Sequence, residues 1–500
     1  MIRKILIANR AEIAVRIITT CREMGIDSVT VHTEDDAGLP HALLADESYC
    51  LGSGPLSETY LDQDKILAAA AEHGVEAIHP GYGFLSENPV FREKVASAGL
   101  VFIGPSPETM RLMGDKIASK TRMAEAGIPV IPGYNGDNQE EDFLFEQARA
   151  VGFPVLIKAT AGGGGKGMRV VNEAAEFPEA LAGARREARN AFGNDRVLIE
   201  KFLPRSRHIE VQVFGDTHGN FRHFFERECS IQRRHQKIIE ETPSPALTPE
   251  KRAAVTASAV EVARTINYHG AGTVEFVYEE SDDDGRHYFL EMNTRLQVEH
   301  PVTEMVTGFD LVRLQIETAA GLPLTVSQEE IPRKGHAIEA RIYAEDADNE
   351  FLPTTGVIQK VGRSLVNGIR LDSGYDRGNR VTINYDPMLA KLIAHGSSRD
   401  EAVNRLVLAL DDILFQGVKT NRAFLKRVLR SKPFAEGVTF TDFIAEHADE
   451  LRPRPFTDQE LARIVGGFLF YEKETPAGGQ ENTASITPTA WDKIAGFRNV

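Results

Sequence analysis

One segment of the chain places a charged or amide side chain at every second position. It reads HYFLEMNTRLQVEHPVTE over residues 287–304, and the alternating residues are Glu291, Asn293, Arg295, Gln297 and Glu299. Successive side chains of an extended strand point to opposite faces, so this spacing predicts that all five share one face. Two carboxylates, a guanidinium and two amides in one row can bind a metal ion, an anion and a proton together. The alternative is a solvated edge strand, although such a face usually carries Thr, Lys and Ser.

The residues before this segment predict the other half of a hairpin. GTVEFVYE, residues 272–279, is an apolar and β-branched run, and SDDDGR after it is a turn signal. If the turn centres on Asp283, Glu275 lies directly opposite Glu291, with Cβ atoms about 5 Å apart. Two carboxylates at that distance repel each other unless a cation lies between them. The oxygen donors of Glu275, Glu291 and Asn293 suit magnesium or manganese rather than zinc.

Composition excludes several classes of protein. The 57 Lys and Arg residues against 73 Asp and Glu residues give a net charge of −16, which argues against a general nucleic-acid binder. No stretch approaches the roughly 20 apolar residues that a membrane span needs. The three cysteines have unrelated spacings, and MIRKILIANR contains no signal-peptide pattern. We therefore expect a cytoplasmic protein without a disulfide framework or a membrane anchor.

The first hundred residues alternate strands and helices. KILIA, DSVTVHT, EAIHP and VFIGP are short apolar runs separated by helical patterns, which predicts a parallel, doubly wound, Rossmann-like sheet. The dinucleotide fingerprint is absent, because NRAEIA follows the first strand. HPGYGFLSEN, residues 79–88, follows the carboxyl end of a predicted strand, where open α/β sheets bind ligands. This places Tyr82 at a candidate site, although a lone loop tyrosine is more often a packing residue.

The whole pattern predicts a multidomain protein that combines α/β and α+β folds. We expect a doubly wound domain over residues 1–114, a helical linker over 115–133, a lid over 134–204, an α+β domain over 205–446 and a tail over 447–500. The tail contains PAGGQENTASITPT, whose composition is typical of a flexible linker.

A glycine-rich loop predicts phosphate binding. KATAGGGGKGM, residues 158–168, places Gly163, Gly164 and Gly165 before Lys166. Glycines let backbone N–H groups approach phosphate oxygens, and Lys116 and Lys158 can add charge. The loop is not a Walker motif, since Gly167 occupies the Ser/Thr position. A glycine hairpin without a ligand is the alternative.

The motifs taken together resemble those of the biotin carboxylases, the ATP-grasp component of acetyl-CoA, propionyl-CoA, methylcrotonyl-CoA and pyruvate carboxylases. The matching motifs are GDKIASK, KATAGGGGKGM, RHIEVQVFGD, ERECSIQRRHQKIIEETPSP, FLEMNTRLQVEHPVTE and EARIYAED, in order within residues 1–446. The resemblance implies an N-terminal Rossmann-like domain, an ATP-grasp lid and a C-terminal catalytic domain. It also implies that ATP, bicarbonate and carrier-bound biotin give carboxybiotin, ADP and phosphate.

The resemblance also implies roles for individual residues. ATP would be bound by Lys116, Lys158, Gly163, Gly164, Gly165, Lys166, Glu200, Lys201, Leu203, His208, Gln232 and His235, and Mg²⁺ or Mn²⁺ by Glu275, Glu291 and Asn293. Bicarbonate would be held by Lys237, Arg295, Gln297 and the Val298 backbone, with Glu299 as the base. Arg341 and Tyr82 would lie at the ureido ring of biotin, where Arg341 stabilises its enolate. Ala11 and Lys166 depart from residues common in the family, and neither change removes a catalytic group.

The resemblance implies partners as well. The sequence has no Met-Lys-Met biotinylation motif and no carboxyltransferase, so we expect a biotin carboxyl carrier protein or domain and a carboxyltransferase subunit as partners. A homodimer is expected from the family. The resemblance assigns the choice of the acyl-CoA acceptor to the carboxyltransferase. Two other hypotheses are another ATP-grasp ligase, which would lack RLQVEHPVTE and RRHQK, and a nucleotide-binding scaffold, against which Lys237, Arg295, Glu299 and Arg341 argue.

Overall fold

The N-terminal region forms the predicted parallel sheet. In the computed structural model its elements are β1 (Lys4–Ile7), α1 (Ala11–Met24), β2 (Asp27–His32), α2 (Pro40–Leu44), β3 (Glu47–Cys50), α3 (Gln63–Glu72), β4 (Ala77–His79), α4 (Pro89–Ser97) and β5 (Val101–Phe102). The strand order is β3-β2-β1-β4-β5, and every pair is parallel. The order reverses between β1 and β4, which is where doubly wound sheets bind ligands. The structure describes residues 2–160, 168–234, 236–280, 285–455 and 457–474.

The loop after β4 is fixed against β1. Asn9, which follows β1, donates from Nδ2 to the carbonyl oxygens of Pro80 and Tyr82, both at 2.8 Å. Gly81 has φ +64°, and a Cβ there would lie 2.8 Å from the Asn9 amide nitrogen, so only glycine fits. The contact presents Tyr82 at the switch point of the sheet.

Four helices and the four strands of a small sheet follow. They are α5 (Pro107–Gly114), α6 (Lys116–Glu125), β6 (Gly133–Tyr134), α7 (Glu141–Val151), β7 (Val155–Ala159), β8 (Arg169–Val171), α8 (Phe177–Phe192) and β9 (Val197–Lys201). Asp115 caps α6 by accepting hydrogen bonds from the N–H groups of Ile117 and Ala118. The four strands form an antiparallel sheet in the order β6-β9-β7-β8, with its own buried apolar cluster against α7 and α8. The glycine-rich loop, with Gly163, Gly164, Gly165 and Lys166, lies outside the described residues, as does His235.

The largest sheet carries most of the residues expected at the functional site. The elements that follow β9 in the chain are β10 (Ser206–Gly215), β11 (Phe221–Arg233), β12 (Gln236–Thr242), α9 (Pro249–Thr265), β13 (Gly270–Glu279), β14 (Arg286–Asn293), α10 (His300–Thr307), α11 (Leu311–Ala319) and β15 (His336–Tyr343). Short strands follow, namely β16 (Glu345–Asp346), β17 (Leu352–Pro353), β18 (Gly356–Val357) and β19 (Lys360–Val361). The remaining elements of this unit are β20 (Ile369–Ser373), β21 (Arg380–Val381), β22 (Met388–Gly396), α12 (Arg399–Asp412), β23 (Phe415–Gln416), α13 (Arg422–Arg430), α14 (Lys432–Ala435) and α15 (Phe443–Glu446). Eight antiparallel strands pair in the order β14-β13-β10-β11-β12-β15-β22-β20.

The strand expected to continue through residue 299 ends at Asn293, so that part of the prediction is wrong. The chain turns over residues 294–299, and α10 begins at His300 with Glu299 as its N-cap residue. Pro301 suits the first turn of a helix because it lacks the N–H that a strand would need. Leu296 lies fully buried in the core that contains Ile5, Ile7 and Ile13. Because Pro301 lies in the first turn of a helix and cannot donate to a strand ladder, the alternating pattern does not remain extended.

Two compact units divide the chain, one up to Leu451 and one from Arg452. Leu451 is buried in the core of the first unit, and its carbonyl accepts a hydrogen bond from Arg427 Nε at 2.7 Å. In the second unit, α16 spans Asp458–Glu474, and Arg454 forms an ion pair with Glu460 at 2.6 Å. Within the described residues, no helix is both long and apolar enough to cross a membrane. The division of the first unit into residues 1–114, 115–133, 134–204 and 205–446 stays a prediction.

Candidate active site

The predicted carboxylate pair lies across the β13–β14 hairpin. Glu275 pairs with Glu291, and Thr273 pairs with Asn293, which confirms the register expected at this end. The register shifts by one residue between Glu275 and Phe276, so Phe276 pairs with Phe289. A bulge therefore lies between the turn and the carboxylates, which the sequence pattern did not indicate.

Lys237 joins three carboxylates at the centre of the site. Its Nζ lies 2.5 Å from Glu210 Oε2, 2.9 Å from Glu275 Oε1 and 2.8 Å from Glu299 Oε1. Burial alone would lower the pKa of this lysine, but Glu210, Glu275 and Glu299 outweigh it and raise the pKa well above its usual value. Lys237 is thus a permanent cation shared between strand residues and the N-cap of α10.

Glu299 is held as a carboxylate by its neighbours. Arg341 Nη2 donates to Glu299 Oε2 at 3.0 Å, while Oε1 accepts from Lys237. Burial would raise the pKa of Glu299, but the charges of Lys237, Arg341 and Arg227 lower it below the ordinary value. An ionised carboxylate between two cationic donors can accept a proton from a substrate that displaces one of them.

Arg341 bridges two carboxylates. Its Nε donates to Glu240 Oε1 at 2.5 Å, in addition to the contact with Glu299. Burial raises the pKa of Glu240 to about 7, because the lowering effect of Arg341 only partly offsets burial and the charge of Glu299. Glu339, opposite Glu240 in the β12–β15 ladder, is fully buried, and burial also raises its pKa well above the ordinary value. The Arg341 guanidinium thus contacts two different carboxylates: Glu299, which is ionised, and Glu240, whose pKa is about 7.

The turn after β14 brings the remaining polar residues to the same place. Gln297 donates from Nε2 to Glu275 Oε1 at 2.8 Å, and its Oε1 accepts from Arg227 Nη2 at 3.1 Å. Arg295 donates to Asn293 Oδ1 at 3.0 Å and to Glu87 Oε2 at 2.9 Å. The five alternating residues therefore meet around Glu275, although a turn rather than a strand brings the last three there.

The predicted metal ligands have the donor chemistry of a magnesium or manganese site. Glu275 and Glu291 face each other, and Asn293 Nδ2 donates to Glu275 Oε1 at 2.8 Å. Burial, followed by the nearby charge of Glu275, raises the pKa of Glu291. A divalent cation would relieve that repulsion, and the oxygen donors suit a hard ion. The residues therefore fit such an ion, with Lys237 and the two amides at present satisfying Glu275.

The predicted nucleotide residues form two groups. Lys158 and Lys120 both pair with the buried carboxylate of Glu200. His208 lies 3.2 Å from Gln232 Nε2 through Nδ1 and 3.1 Å from Glu275 Oε2 through Nε2. These contacts join the second group to the carboxylate pair.

The other predicted nucleotide residues have structural contacts. Lys201 donates to the carbonyls of Gly152 and Phe153 at 2.7 and 3.1 Å, and Leu203 is buried. Lys116 begins α6. Lys201 is the last residue of β9 in the small sheet, and Leu203 follows that strand.

Tyr82 and Val298 connect to the site through two residues that the sequence analysis missed. Tyr82 donates its hydroxyl hydrogen to Glu12 Oε1, and the Val298 carbonyl accepts from Lys391 Nζ at 2.8 Å. Lys391 Nζ also lies 3.1 Å from Glu12 Oε2. Neither Glu12 nor Lys391 belongs to a motif, and no sequence signal marked them.

Other missed residues had a signal in the sequence. Glu210 lies between His208 and Gln212 at the strand period, directly opposite Glu275 on β13 and Arg227 on β11. Arg227 is fully buried and donates to Glu210, Gln212 and Gln297. The same alternation argument applied to HIEVQV would have found Glu210. Glu87, Lys120 and Glu240 carried no comparable pattern.

Comparison with known proteins gives three family models. "Biotin carboxylase, N-terminal domain" matches residues 1–110, "Carbamoyl-phosphate synthase L chain, ATP binding domain" matches residues 115–327, and "Biotin carboxylase C-terminal domain" matches residues 339–446. The biotin carboxylase of Allochromatium vinosum is 48% identical over 440 residues, which cover 87% of this chain and 96% of that protein. The alpha subunit of mitochondrial methylcrotonoyl-CoA carboxylase from Rattus norvegicus is 48% identical over 476 residues. The match covers 95% of this chain and spans 66% of the length of that subunit.

Solved structures have the same fold. The biotin carboxylase domain dimer of Hydrogenobacter thermophilus 2-oxoglutarate carboxylase, in complex with MgADP, ADP and bicarbonate, is 43% identical with a TM-score of 0.85. The match covers 91% of this chain and 100% of the H. thermophilus chain. A Campylobacter jejuni biotin carboxylase in a β-γ-ATP complex is also 43% identical with a TM-score of 0.85, and covers 89% of this chain and 99% of that chain.

Proposed function

This chain belongs to the biotin carboxylase family, and from that premise we propose that it carboxylates biotin on a carrier protein or domain, using ATP and bicarbonate. This is the first half-reaction of an acyl-CoA carboxylase of the acetyl-, propionyl- or methylcrotonyl-CoA type. The observation that carries the proposal is the ionised Glu299 between Lys237 and Arg341, because it combines a base with two anion-binding groups.

Bicarbonate binds, in this proposal, to Lys237, Arg295, Gln297 and the Val298 backbone. Glu299 removes the proton of bicarbonate. Bicarbonate can displace one of the two cationic neighbours of this carboxylate, which then accepts the proton. The resulting dianion is a stronger nucleophile than bicarbonate and attacks the γ-phosphorus of ATP. ADP leaves, and carboxyphosphate forms.

ATP binds on the side of the small sheet. Lys116, Lys158, Gly163, Gly164, Gly165 and Lys166 hold its phosphates; Glu200, Lys201 and Leu203 meet the adenine; and His208, Gln232 and His235 line the ribose and phosphates. The pairing of Lys158 with Glu200 supports a binding region that contains both residues. We assign residues 134–204 as a lid that closes over the nucleotide and keeps water from carboxyphosphate.

Glu275, Glu291 and Asn293 would hold Mg²⁺ or Mn²⁺. When bound, the ion supplies positive charge to the phosphate oxygens. The chain's own contribution is the opposed pair of Glu275 and Glu291, because burial and the charge of Glu275 raise the pKa of Glu291 and a cation would relieve this repulsion.

Arg341 and Tyr82 form the biotin side of the site. Carboxyphosphate releases CO₂, the phosphate takes the N1 proton of biotin, and the N1 atom attacks CO₂. Negative charge develops on the ureido oxygen, and Arg341 is the group that stabilises it. The contact of Arg341 with Glu299 supports this assignment, because the guanidinium lies 3.0 Å from the carboxylate that we propose as the base.

We further propose a biotin carboxyl carrier protein or domain and a carboxyltransferase subunit as partners, and a homodimer as the assembly. The named subunits among the relatives support multisubunit partners, and the dimer of the H. thermophilus domain supports the homodimer. We place the protein in the cytoplasm, because Cys21, Cys50 and Cys229 are all free and Cys50 is exposed, as suits a reducing compartment.

One assay tests the proposed function. ATP cleavage is measured with and without bicarbonate and free biotin, at saturating Mg²⁺. We expect stimulation by bicarbonate and by biotin together, with carboxybiotin as a product. Cleavage that responds to neither would indicate a different ATP-grasp ligase, and nucleotide binding without cleavage would indicate a scaffold.

A further inference from the structure

We propose that Lys391 and Glu12 are a buried pair of positioning residues that fixes the Val298 peptide and Tyr82 relative to each other. The proposal rests on the proposed function, because it assigns these two side chains to the biotin and bicarbonate side of that site. Neither residue touches a substrate in this assignment. Each acts through a neighbour.

Lys391 lies beside Arg341 in the largest sheet. The two residues are direct cross-strand partners in the β15–β22 ladder, and Asp372 on β20 is the partner on the other side. Residues directly opposite in a ladder point to the same face, so Lys391 shares the face of Arg341. Its side chain is fully buried. The lysine therefore lies next to Arg341 and is shielded from solvent.

The ammonium group of Lys391 contacts three elements. Its Nζ donates to the Val298 carbonyl at 2.8 Å, lies 3.1 Å from Glu12 Oε2 and lies 3.9 Å from Asp372 Oδ2. Val298 belongs to the turn that carries Gln297 and Glu299. A donor on this carbonyl fixes the orientation of the peptide between the two side chains that the reaction uses.

Glu12 extends the same link to the N-terminal sheet. It is buried in the first turn of α1, directly after the carboxyl end of β1. Oε1 accepts the hydroxyl hydrogen of Tyr82, and Oε2 faces Lys391. Through Glu12 and Lys391, the tyrosine of the loop after β4 is connected to the peptide of the turn before α10.

A purely structural role is the competing explanation. Buried ion pairs are costly to desolvate, and apolar replacements of similar volume are often neutral or stabilising. A pair needed only for packing could therefore be replaced without loss. This pair ends on two residues at the proposed substrate site, so we expect replacement to change substrate binding and coupling even where folding is retained.

The experiment compares two double variants of the full chain. Glu12→Gln/Lys391→Met removes both charges with little change in volume, and the amide oxygen introduced by Glu12→Gln can still accept from Tyr82. Glu241→Gln/Arg399→Met is the control, because it removes a largely buried ion pair of 2.7 Å between β12 and α12 whose hydrogen-bond partners are His336 and the Ala435 carbonyl rather than residues of the proposed site. The measurements are the KM values for ATP, bicarbonate and free biotin, kcat, and the ratio of ADP to carboxybiotin.

The site variant should raise the KM for biotin or bicarbonate about tenfold, the effect of losing one charge-assisted hydrogen bond that binding uses. The ADP to carboxybiotin ratio should also rise, while the KM for ATP stays at the parent value. The control should leave all three KM values and the ratio unchanged. Parent-like KM values and ratio in the site variant would overturn the proposal, as would the same changes in the control.

Two further readouts keep the test decisive. If the double variant does not fold, Glu12→Gln alone is measured; a higher KM for biotin with unchanged ATP kinetics supports the proposal, and parent kinetics overturn it. The parent protein is assayed in parallel. If the parent shows no stimulation by bicarbonate and biotin, the proposed function has failed; if it is stimulated and the variants match it, only the positioning role has failed.

Discussion

At the scale of single residues, the charge state of Glu299 depends on its neighbours rather than on solvent. Lys237 and Arg341 contact its two oxygens, and they outweigh a burial that would otherwise raise its pKa. In the proposed mechanism, loss of the carboxylate should therefore remove the base while bicarbonate still binds, because both cations remain.

Glu299→Gln tests this separation. The amide keeps the size and hydrogen-bonding capacity of the side chain, so bicarbonate should still bind. We expect kcat to fall about 10²-fold or more, the usual contribution of a general base. Affinity for an ATP analogue, measured by calorimetry, should stay at the parent value, as should the activity of the exposed-site control Glu93→Gln. A Glu299→Gln variant with parent kcat would remove the glutamate from this role.

Arg341→Ala should affect a different step. Without the guanidinium, the enolate of biotin loses its stabilising charge, so bicarbonate-dependent ATP cleavage should persist while carboxybiotin formation falls. Glu240, whose pKa is already raised to about 7 by burial, would lose the lowering effect of Arg341 and take up a proton, which limits the cost to folding. The measurement is the ratio of ADP to carboxybiotin, with Arg341→Lys as the matched variant. An unchanged ratio would contradict the assignment.

Sequence reasoning reached some site residues and missed others for a physical reason. The opposition of Glu275 and Glu291 could be predicted because both lie on one hairpin, where alternation and the turn set the register. Glu12 and Lys391 are 379 positions apart in the sequence. They meet only because separate sheets pack together, and no local pattern encodes that contact.

At the scale of secondary-structure elements, Glu241 ties β12 to its neighbours. Its carboxylate lies 2.7 Å from His336 Nε2 on β15 and 2.7 Å from Arg399 Nε at the start of α12. Burial would raise the pKa of Glu241, but the hydrogen bond from His336 and the charge of Arg399 outweigh it and lower the pKa to about 2. The folded state thus binds this proton less tightly than the unfolded state does.

This shift predicts a pH dependence of stability. Because the folded pKa lies below the unfolded value, the contribution is present above about pH 4.5 and is lost as the pH falls toward 2. Its size is about 3 kcal/mol at pH 7. Glu241→Gln should lower the free energy of unfolding in urea at pH 7, and the difference from the parent should shrink between pH 4.5 and pH 3. A difference that is constant with pH would show that the charge of Glu241 is not its source.

Elements also show where periodicity fails as a guide. The alternation through Glu299 predicted one long strand, but the position of Pro301 favours a turn and a helix. The N-terminal βα rhythm had no such conflict: the four predicted strands and the first helix are present, although β3 was not predicted.

At the scale of the whole molecule, the first compact unit includes five residues beyond the predicted boundary at residue 446. Leu451 is buried in the core that also contains Phe443, and its carbonyl accepts from Arg427. The order of the eight-stranded sheet could not be predicted either, since β12 pairs with β15 across a long intervening segment. Such pairings depend on contacts between distant segments.

A truncation pair tests the boundary. A protein ending at Leu451 should keep the parent Tm and the bicarbonate-dependent ATP cleavage, because the first unit is complete. A protein ending at Glu446 loses Leu451 and should be destabilised by about 2 kcal/mol, the value of burying one leucine. Calorimetric Tm and the ATP assay check both. Equal Tm values for the two truncations would contradict the role of Leu451.

The bulge in the β13–β14 hairpin has a practical consequence for labelling this protein. β13 is held by ten consecutive pairs to β10, and the one-residue shift separates the pairing near the turn from the pairing of Glu275 with Glu291. A peptide that replaces residues 281–284 should therefore leave the pairing of Glu275 with Glu291 unchanged, whatever the length of the peptide. An epitope or fluorophore attached at that position would report on the protein while leaving its opposed acids in register.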